Sequence, residues 1–439
     1  MQKSKSKIVT RFPPSPTGYF HIGSARTALF NYLFAEHTGG TMSLRFEDTD
    51  KARNKKEYED DIVSGLEWLG LTYTKPDIFR QSERTEIYRK YLRKLIESGA
   101  AYEAEAGTDD PAKNVIRFKN PGASVTFRDV IRGDVSFETA ELKDFVIAKN
   151  IDEPLYNFAV VADDYEIGVT HVIRGEDHIS NTPRQILMLE ALGFPRPQYA
   201  HIPLILAPDR SKMSKRHGAV SLNEYRKMGF VSQALVNYLA LLGWNPGGDR
   251  EIFSLKEIAE IFTIEHIHKG GAIFDVEKLK WFNHEYIKRL SDDDYASRLR
   301  DFTDADAAAL PIALIKERAR TFVEAAELIK NGEFQFMSQN ISYEPALLIK
   351  GAKTDVSVAK IHLSAVAKLL EGLSSEQFTS DEIKNSIFPY ATKEGRGAVL
   401  WPLRVALSGR EKSPDPFIIA SLIGKERTLE RITKAMELL

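Results

Sequence analysis

Cysteine is absent from all 439 residues. That excludes disulfides and thiolate metal sites, and it fits a reducing compartment, so a cytoplasmic location is expected. Long hydrophobic runs are also missing. The longest, 235–244, is too short for a membrane span and carries Asn237 and Tyr238. The basic start, 1–7, is not followed by an apolar core, so no secretory leader is expected. Charge of one sign is lacking as well: 60 Lys and Arg face 62 Asp and Glu, a formal net charge of −2. A nucleic-acid binder is often basic overall, which argues mildly against one. Yet basic residues can gather in one groove while acids cover the other faces. With 43% hydrophobic residues, the chain can build cores in several domains.

The first third alternates in pattern. Residues 7–11 read as a strand, and Pro13-Pro14-Ser15-Pro16-Thr17-Gly18 is a turn that cannot be helical. From 22 to 36, Ile22, Ala25, Leu29, Tyr32 and Leu33 recur at helical spacing. A strand over 42–47 follows Gly39-Gly40, then amphipathic helices over 56–69 and 83–98. Strand, turn, helix, strand is the start of a doubly wound parallel sheet. From about 102, short alternating runs (115–118, 125–128, 135–137, 145–148) predict a small mixed insertion. The α/β character returns with 156–161, 169–173, a helix near 183–192, and 200–206. Beyond Val220 the pattern is almost wholly helical: 231–242, 255–261, 276–290, 313–329, 356–370, 417–422 and 425–436.

Two segments carry chemistry. Pro14-Ser15-Pro16-Thr17-Gly18-Tyr19-Phe20-His21-Ile22-Gly23-Ser24 joins a strand to a helix N-terminus. Free backbone N–H groups and the positive end of the helix dipole suit such a junction to phosphate. Gly18 and Gly23 would let the backbone approach a ligand, and His21 can donate to a phosphate oxygen. Taken alone, the segment is also a Pro-rich turn with a helix-capping histidine. Ser211-Lys212-Met213-Ser214-Lys215-Arg216-His217-Gly218 is a basic loop after a strand. Its cations could neutralise a departing pyrophosphate by closing only in the transition state. Taken alone, it is also a solvated basic turn.

In order and separation the two segments resemble the "HIGH" and "KMSKS" signatures of class I aminoacyl-tRNA synthetases. Arg11 to Gly18, Leu44-Arg45-Phe46-Glu47-Asp48-Thr49-Asp50, Tyr156-Asn157-Phe158, Val172-Ile173-Arg174-Gly175-Glu176-Asp177-His178 and Lys212 to Arg216 look like the glutamyl and glutaminyl branch. The similarity runs through essentially the whole chain and narrows to the bacterial or organellar glutamyl-tRNA synthetase family. It implies an α/β doubly wound (Rossmann-like) catalytic domain with a small mixed α/β insertion, an α-helical stem-contact region and an all-α anticodon-binding cage. The expected boundaries are 1–80 and 156–220 for the catalytic halves, 81–155 for the acceptor-binding insertion, 221–290 for the stem-contact domain, and 291–345 and 346–439 for the two anticodon subdomains.

Glutamate carries two carboxylates and one ammonium, so a selective pocket needs two cations and an anion. Arg11, Arg174 and Glu47, at strand ends, supply that count. The resemblance implies that Arg11 and Tyr156 hold the side-chain carboxylate, Arg174 the α-carboxylate, and Glu47 with Ser15 the ammonium, beside Pro13. It assigns ATP to Thr17, Gly18, His21, Gly23, Asp177, Ile205, Lys212, Ser214 and Lys215, with His178 nearby. Among these His21, Lys212 and Lys215 would be catalytic, and Mg²⁺ would accompany the ATP phosphates. Each residue also has a structural reading: Arg174 pairing with Glu176 or Asp177, Tyr156 sitting in a core.

The chain departs from the family pattern in two places. Ser24 stands where the first signature has a second histidine. The stretch 103–112 is shorter than the usual insertion, and without thiolates no zinc site is expected there. His266 and His268 read as a surface or core pair. In the helical half the resemblance assigns anticodon contacts to Arg318, Arg404, Ser413 and Pro414; for Arg318 an exposed helix charge is an equal reading. The implied reaction is ATP-dependent activation of L-glutamate and its transfer to tRNA(Glu), with tRNA needed for activation, by a monomer without membrane contact. The alternative is a form that also or mainly charges tRNA(Gln). A glutaminyl enzyme should carry a β-barrel anticodon region, and a tRNA-base-modifying relative should end near the second signature.

Overall fold

The structure is a computed structural model that describes residues 7–50, 52–74, 78–105, 114–213, 216, 221–338, 340–352 and 354–439. They form two compact units, 1–286 and 287–439. Ser214 and Lys215, both singled out from the sequence, lie outside the described residues.

The first unit is built around a parallel sheet. Strand Val9–Phe12 pairs with Thr41–Phe46, which pairs with Ile78–Arg80, all parallel. On the other side of Val9–Phe12, the Thr170 N–H donates to the Val9 carbonyl at 2.9 Å and brings strand His171–Gly175 alongside. That strand pairs in parallel with Gln198–Ile202. Strand order therefore reverses at Val9–Phe12. In open α/β sheets such a reversal leaves a crevice at the carboxyl ends of the strands. Helix Ile22–His37 follows the first strand and returns the chain through Gly39-Gly40. A Cβ at Gly40 would stand 2.4 Å from the Ile8 carbonyl oxygen, so only glycine lets the two segments cross.

The expected small mixed insertion is present but does not stand alone. Ala101–Glu105, Asn114–Phe118, Phe145–Asn150 and Glu153–Pro154 form an antiparallel sheet. The hairpin Ser124–Asp129 and Gly133–Glu138 joins the parallel sheet, with Asp129 opposite Tyr199. One hydrophobic cluster runs from Leu92 and Leu95 through Ile116, Phe118 and Phe127 to Phe158 and Ile186.

Element boundaries depart from the sequence pattern where tertiary context decides. The run from Tyr156 opens a helix, Tyr156–Ile167, which ends at Gly168 in the left-handed region. The run 200–206 splits into Gln198–Ile202 and a two-residue strand, Ile205–Leu206, which pairs with Ala272–Ile273. Leu222–Lys227 and Leu255–Ile261 start at capping boxes, Ser221 with Glu224 and Ser254 with Glu257.

The second unit is all helical among its described residues. The helix expected over 313–329 is two helices, Ile312–Arg318 and Phe322–Lys330. Ala319 and Thr321 are extended, and the Thr321 hydroxyl caps the second helix by accepting the Glu324 N–H at 3.1 Å. Helices Ser380–Glu394 and Arg396–Ser408 escape the pattern because Pro389 and Pro402 stand inside them. They pack against helix Val356–Glu371, and Ile383, Ile387, Val399, Leu403, Leu363 and Val366 are all buried. No helix among the described residues is long and apolar enough to cross a membrane.

Candidate active site

A cleft of about 1240 Å³ opens at the carboxyl ends of the parallel strands. Arg11, Pro13, Ser15, Thr17, Gly18, His21, Gly23, Glu47, Tyr156, Arg174, Asp177, His178, Ile205 and Lys212 all line it. Segments up to about 200 residues apart in sequence are thus brought into one space.

His21 serves as the N-cap of helix Ile22–His37. Its Nδ1 accepts the Ser24 N–H at 3.2 Å, and its Nε2 lies 2.9 Å from the Ser24 hydroxyl. Surrounding protein and the charge of Lys212 hold the imidazole below its ordinary value. With Nδ1 accepting, the neutral ring carries its proton on Nε2. Capping and ligand contact are therefore compatible uses of this side chain. A Cβ on Gly23 would meet the ring at 3.1 Å, so glycine there lets the imidazole fold back over the helix start. A Cβ at Gly18 would meet nothing within 4 Å.

Arg11 and Glu47 belong to a charge lattice whose organisers the sequence did not single out. Arg45 is wholly buried and reaches Asp164 at 2.6 Å, Glu47 at 3.3 Å and Asp163 at 3.8 Å. Arg11 donates through Nε to both oxygens of Asp164 at 3.3 Å. Asp163 in turn accepts from Gln81 at 2.8 Å, Arg84 at 2.6 Å and Tyr88 at 2.9 Å. Two adjacent acids in the apolar run 156–167 were a visible signal, since such charges stay buried only when paired. Burial pushes the Glu47 carboxyl up to about 7, against the pull of Arg45 and Arg11. Burial, with Glu47 adding to it, pushes Tyr156 up to about 12. The Tyr156 hydroxyl meets His178 Nδ1 at 3.1 Å. Burial and the Arg174 charge bring His178 down to about 4.

Arg174 pairs with neither acid beside it. Glu176 pairs with Arg132 and accepts the Leu204 N–H at 2.8 Å, while Asp177 faces Lys212 at 3.4 Å. Arg174 instead donates to His201 Nε2 at 3.2 Å and to the Thr182 hydroxyl at 2.9 Å. Three arginines line the cleft, and each has one buried nitrogen without a hydrogen-bond partner: Nη1 of Arg11, Nη1 of Arg174 and Nε of Arg26. A buried unpaired donor costs about 1–3 kcal/mol, more when charged. The Arg11 and Arg174 donors, on residues that line one cleft with Glu47, suit a dianionic ligand that carries one ammonium.

The anticodon candidates lie in the second unit. Arg404 donates through Nη1 to the Ser413 carbonyl at 2.7 Å, the Ser413 hydroxyl at 3.0 Å and the Pro414 carbonyl at 2.8 Å. Those three residues form one cluster. Arg318 ends its short helix paired with Glu333 at 3.0 Å.

The sheet reversal, the phosphate-suited helix start and the strand-to-loop lysine that faces it define the catalytic fold of a class I tRNA synthetase. The family "tRNA synthetases class I (E and Q), catalytic domain" matches residues 7–110 and 103–281, and "Anticodon binding domain" matches 275–436. Glutamate–tRNA ligase 2 of Thermoanaerobacter pseudethanolicus is 40% identical, with 98% of each chain covered. Glutamate–tRNA ligase of Nitratidesulfovibrio vulgaris is 39% identical over 99% of this chain and 100% of its own. The crystal structure of a glutamate tRNA ligase from Elizabethkingia meningosepticum in complex with its amino acid superposes with a TM-score of 0.83 at 31% identity, covering 98% of this chain and 99% of that one. The chain belongs to the glutamate–tRNA ligase family.

Proposed function

We propose that the cleft activates L-glutamate with ATP and transfers the glutamyl group to the 3′ end of tRNA(Glu). The observation that carries this reading is the pair of unpaired guanidinium nitrogens on Arg11 and Arg174 beside the Glu47 carboxyl. Arg11 and Tyr156 take the side-chain carboxylate, Arg174 the α-carboxylate, and Glu47 with Ser15 the ammonium, against Pro13. ATP lies along Thr17, Gly18 and Gly23, with its base toward Ile205 and its phosphates toward the start of helix Ile22–His37.

The α-carboxylate attacks the α-phosphorus and pyrophosphate leaves. The terminal ribose hydroxyl of tRNA then attacks the glutamyl-adenylate and AMP leaves. Neither step needs a protein nucleophile; the protein positions the groups and stabilises charge. The His21 Nε2–H donates to phosphate in place of its contact with Ser24. Lys212 exchanges its salt bridge with Asp177 for the same phosphates. Ser214 and Lys215 act beside it by the motif they belong to. Mg²⁺ would accompany the ATP phosphates. The second unit reads the anticodon, with the Arg404–Ser413–Pro414 cluster and Arg318 as contacts. The enzyme acts as a cytoplasmic monomer.

Glutamate-dependent pyrophosphate exchange, with and without tRNA, tests the proposal. Exchange that appears only when tRNA is added is expected. No exchange under either condition would leave a non-catalytic tRNA-binding relative as the better reading.

A further inference from the structure

The arginine assigned to the α-carboxylate is held at the end of a chain of buried groups that starts in the inserted hairpin. Asp129 ends the strand Ser124–Asp129. Its carboxylate accepts the His201 Nδ1–H at 2.6 Å, the His201 N–H at 3.1 Å, the Ile131 N–H at 3.0 Å and the Arg132 N–H at 2.9 Å. His201 then accepts at Nε2 from Arg174 Nε at 3.2 Å, and the Thr182 hydroxyl lies 3.2 Å from the same nitrogen. The side chains of Asp129 and His201 have no exposed surface, and Arg174 is 4% exposed.

The chain has one direction. Arg174 can only donate, so His201 Nε2 must accept. Its proton therefore sits on Nδ1, where Asp129 receives it. A carboxylate fixed by three backbone N–H groups thus sets the tautomer of an imidazole, and the imidazole sets the plane of a guanidinium. Arg174 Nε and Nη2 are spent on His201 and Thr182. What remains for a ligand is the second Nη2 hydrogen and the whole of Nη1, the buried nitrogen without a partner. Arg174 itself lines the cleft.

We propose that Asp129 and His201 are positioning residues for glutamate: they orient Arg174 so that its free nitrogen meets the α-carboxylate. This rests on the assignment of Arg174 given above. The inserted hairpin, 45 residues from Arg174 in sequence, is on this reading part of the amino-acid site.

The test is tRNA-dependent pyrophosphate exchange on the full chain, with KM measured separately for glutamate and ATP. His201→Leu should raise the glutamate KM at least tenfold and leave the ATP KM within twofold. His201→Gln, which keeps an acceptor toward Arg174, should recover most of that loss. Asp129→Asn should raise the glutamate KM several-fold, also without moving ATP. Arg174→Lys separates the two readings. If it leaves the glutamate KM unchanged, the α-carboxylate assignment fails and takes the positioning role with it. If it raises the glutamate KM while His201→Leu and Asp129→Asn raise both KM values equally or neither, only the positioning role fails. Should His201→Leu not fold, Asp129→Asn and His201→Gln still decide by the same split.

Discussion

The arginines singled out from the sequence are used in opposite ways in the two units. In the cleft, Arg11 and Arg174 are anchored through Nε, to Asp164 and to His201, and each keeps a buried Nη1 without a partner. In the helical unit, Arg404 gives its Nη1 to three acceptors of its own chain, and Arg318 pairs with Glu333. A buried unpaired donor is costly, so on a residue that lines a cleft it favours a ligand that completes it. A donor with every partner supplied marks where shape is held. The cleft is thus preorganised for charge, whereas Arg404 ties the Ser413–Pro414 turn to its own helix.

Breaking the first arrangement should have the largest consequence. Arg11→Ala is expected to raise the glutamate KM about a hundredfold, because truncating one partner of a buried charge pair costs about 2–5 kcal/mol. The ATP KM should hardly move, and an effect confined to ATP would remove Arg11 from the amino-acid pocket. Glu47 sharpens the same point through pH. Its carboxyl, pushed up to about 7 by burial, gains a proton as pH falls through that value and loses the charge that would face an ammonium. The glutamate KM should therefore rise below about pH 7, by up to about tenfold per unit. Glu47→Gln should raise KM at alkaline pH and flatten the dependence; a profile identical to the parent's would assign it elsewhere.

Arg404→Ala probes the other use. It strands two carbonyls and a hydroxyl, so thermal unfolding should show a loss of about 1–3 kcal/mol. The tRNA KM should rise with it while the glutamate and ATP KM values hold. Gly23→Ala crowds the His21 ring by a few tenths of an ångström. Turnover should drop about fivefold, an effect near 1 kcal/mol, with little change in melting. The smallest effect belongs to Arg318→Gln. Losing the partly buried pair with Glu333 should change stability by about 1 kcal/mol. Charging of purified isoacceptors should nonetheless shift toward glutamine tRNA, and an unchanged ratio would leave Arg318 as a surface charge.

Much of the site was legible in the sequence because its residues sit at local junctions. Arg11, Glu47 and Arg174 lie at or beside strand ends and His21 opens a helix, which periodicity shows, while the family resemblance supplied their expected roles. The residues that hold them were not found. Asp129 and His201 are ordinary in their own segments, and only a parallel pairing of Gln198–Ile202 with the inserted hairpin joins them to Arg174. Prolines hid two helices of the second unit for a different reason. Pro389 and Pro402 break the local rule, and the apolar contacts of Ile383, Val399 and Leu403 override it.

By itself the sequence determined the α/β start, the helical remainder, the two signature segments and the charge count of an amino-acid pocket. Those follow from spacing along a chain, which periodicity and turn chemistry record. The tertiary structure alone decided which groups are already paired and which nitrogen is left open. Pairing depends on distance between segments far apart in the chain, and no local pattern encodes it.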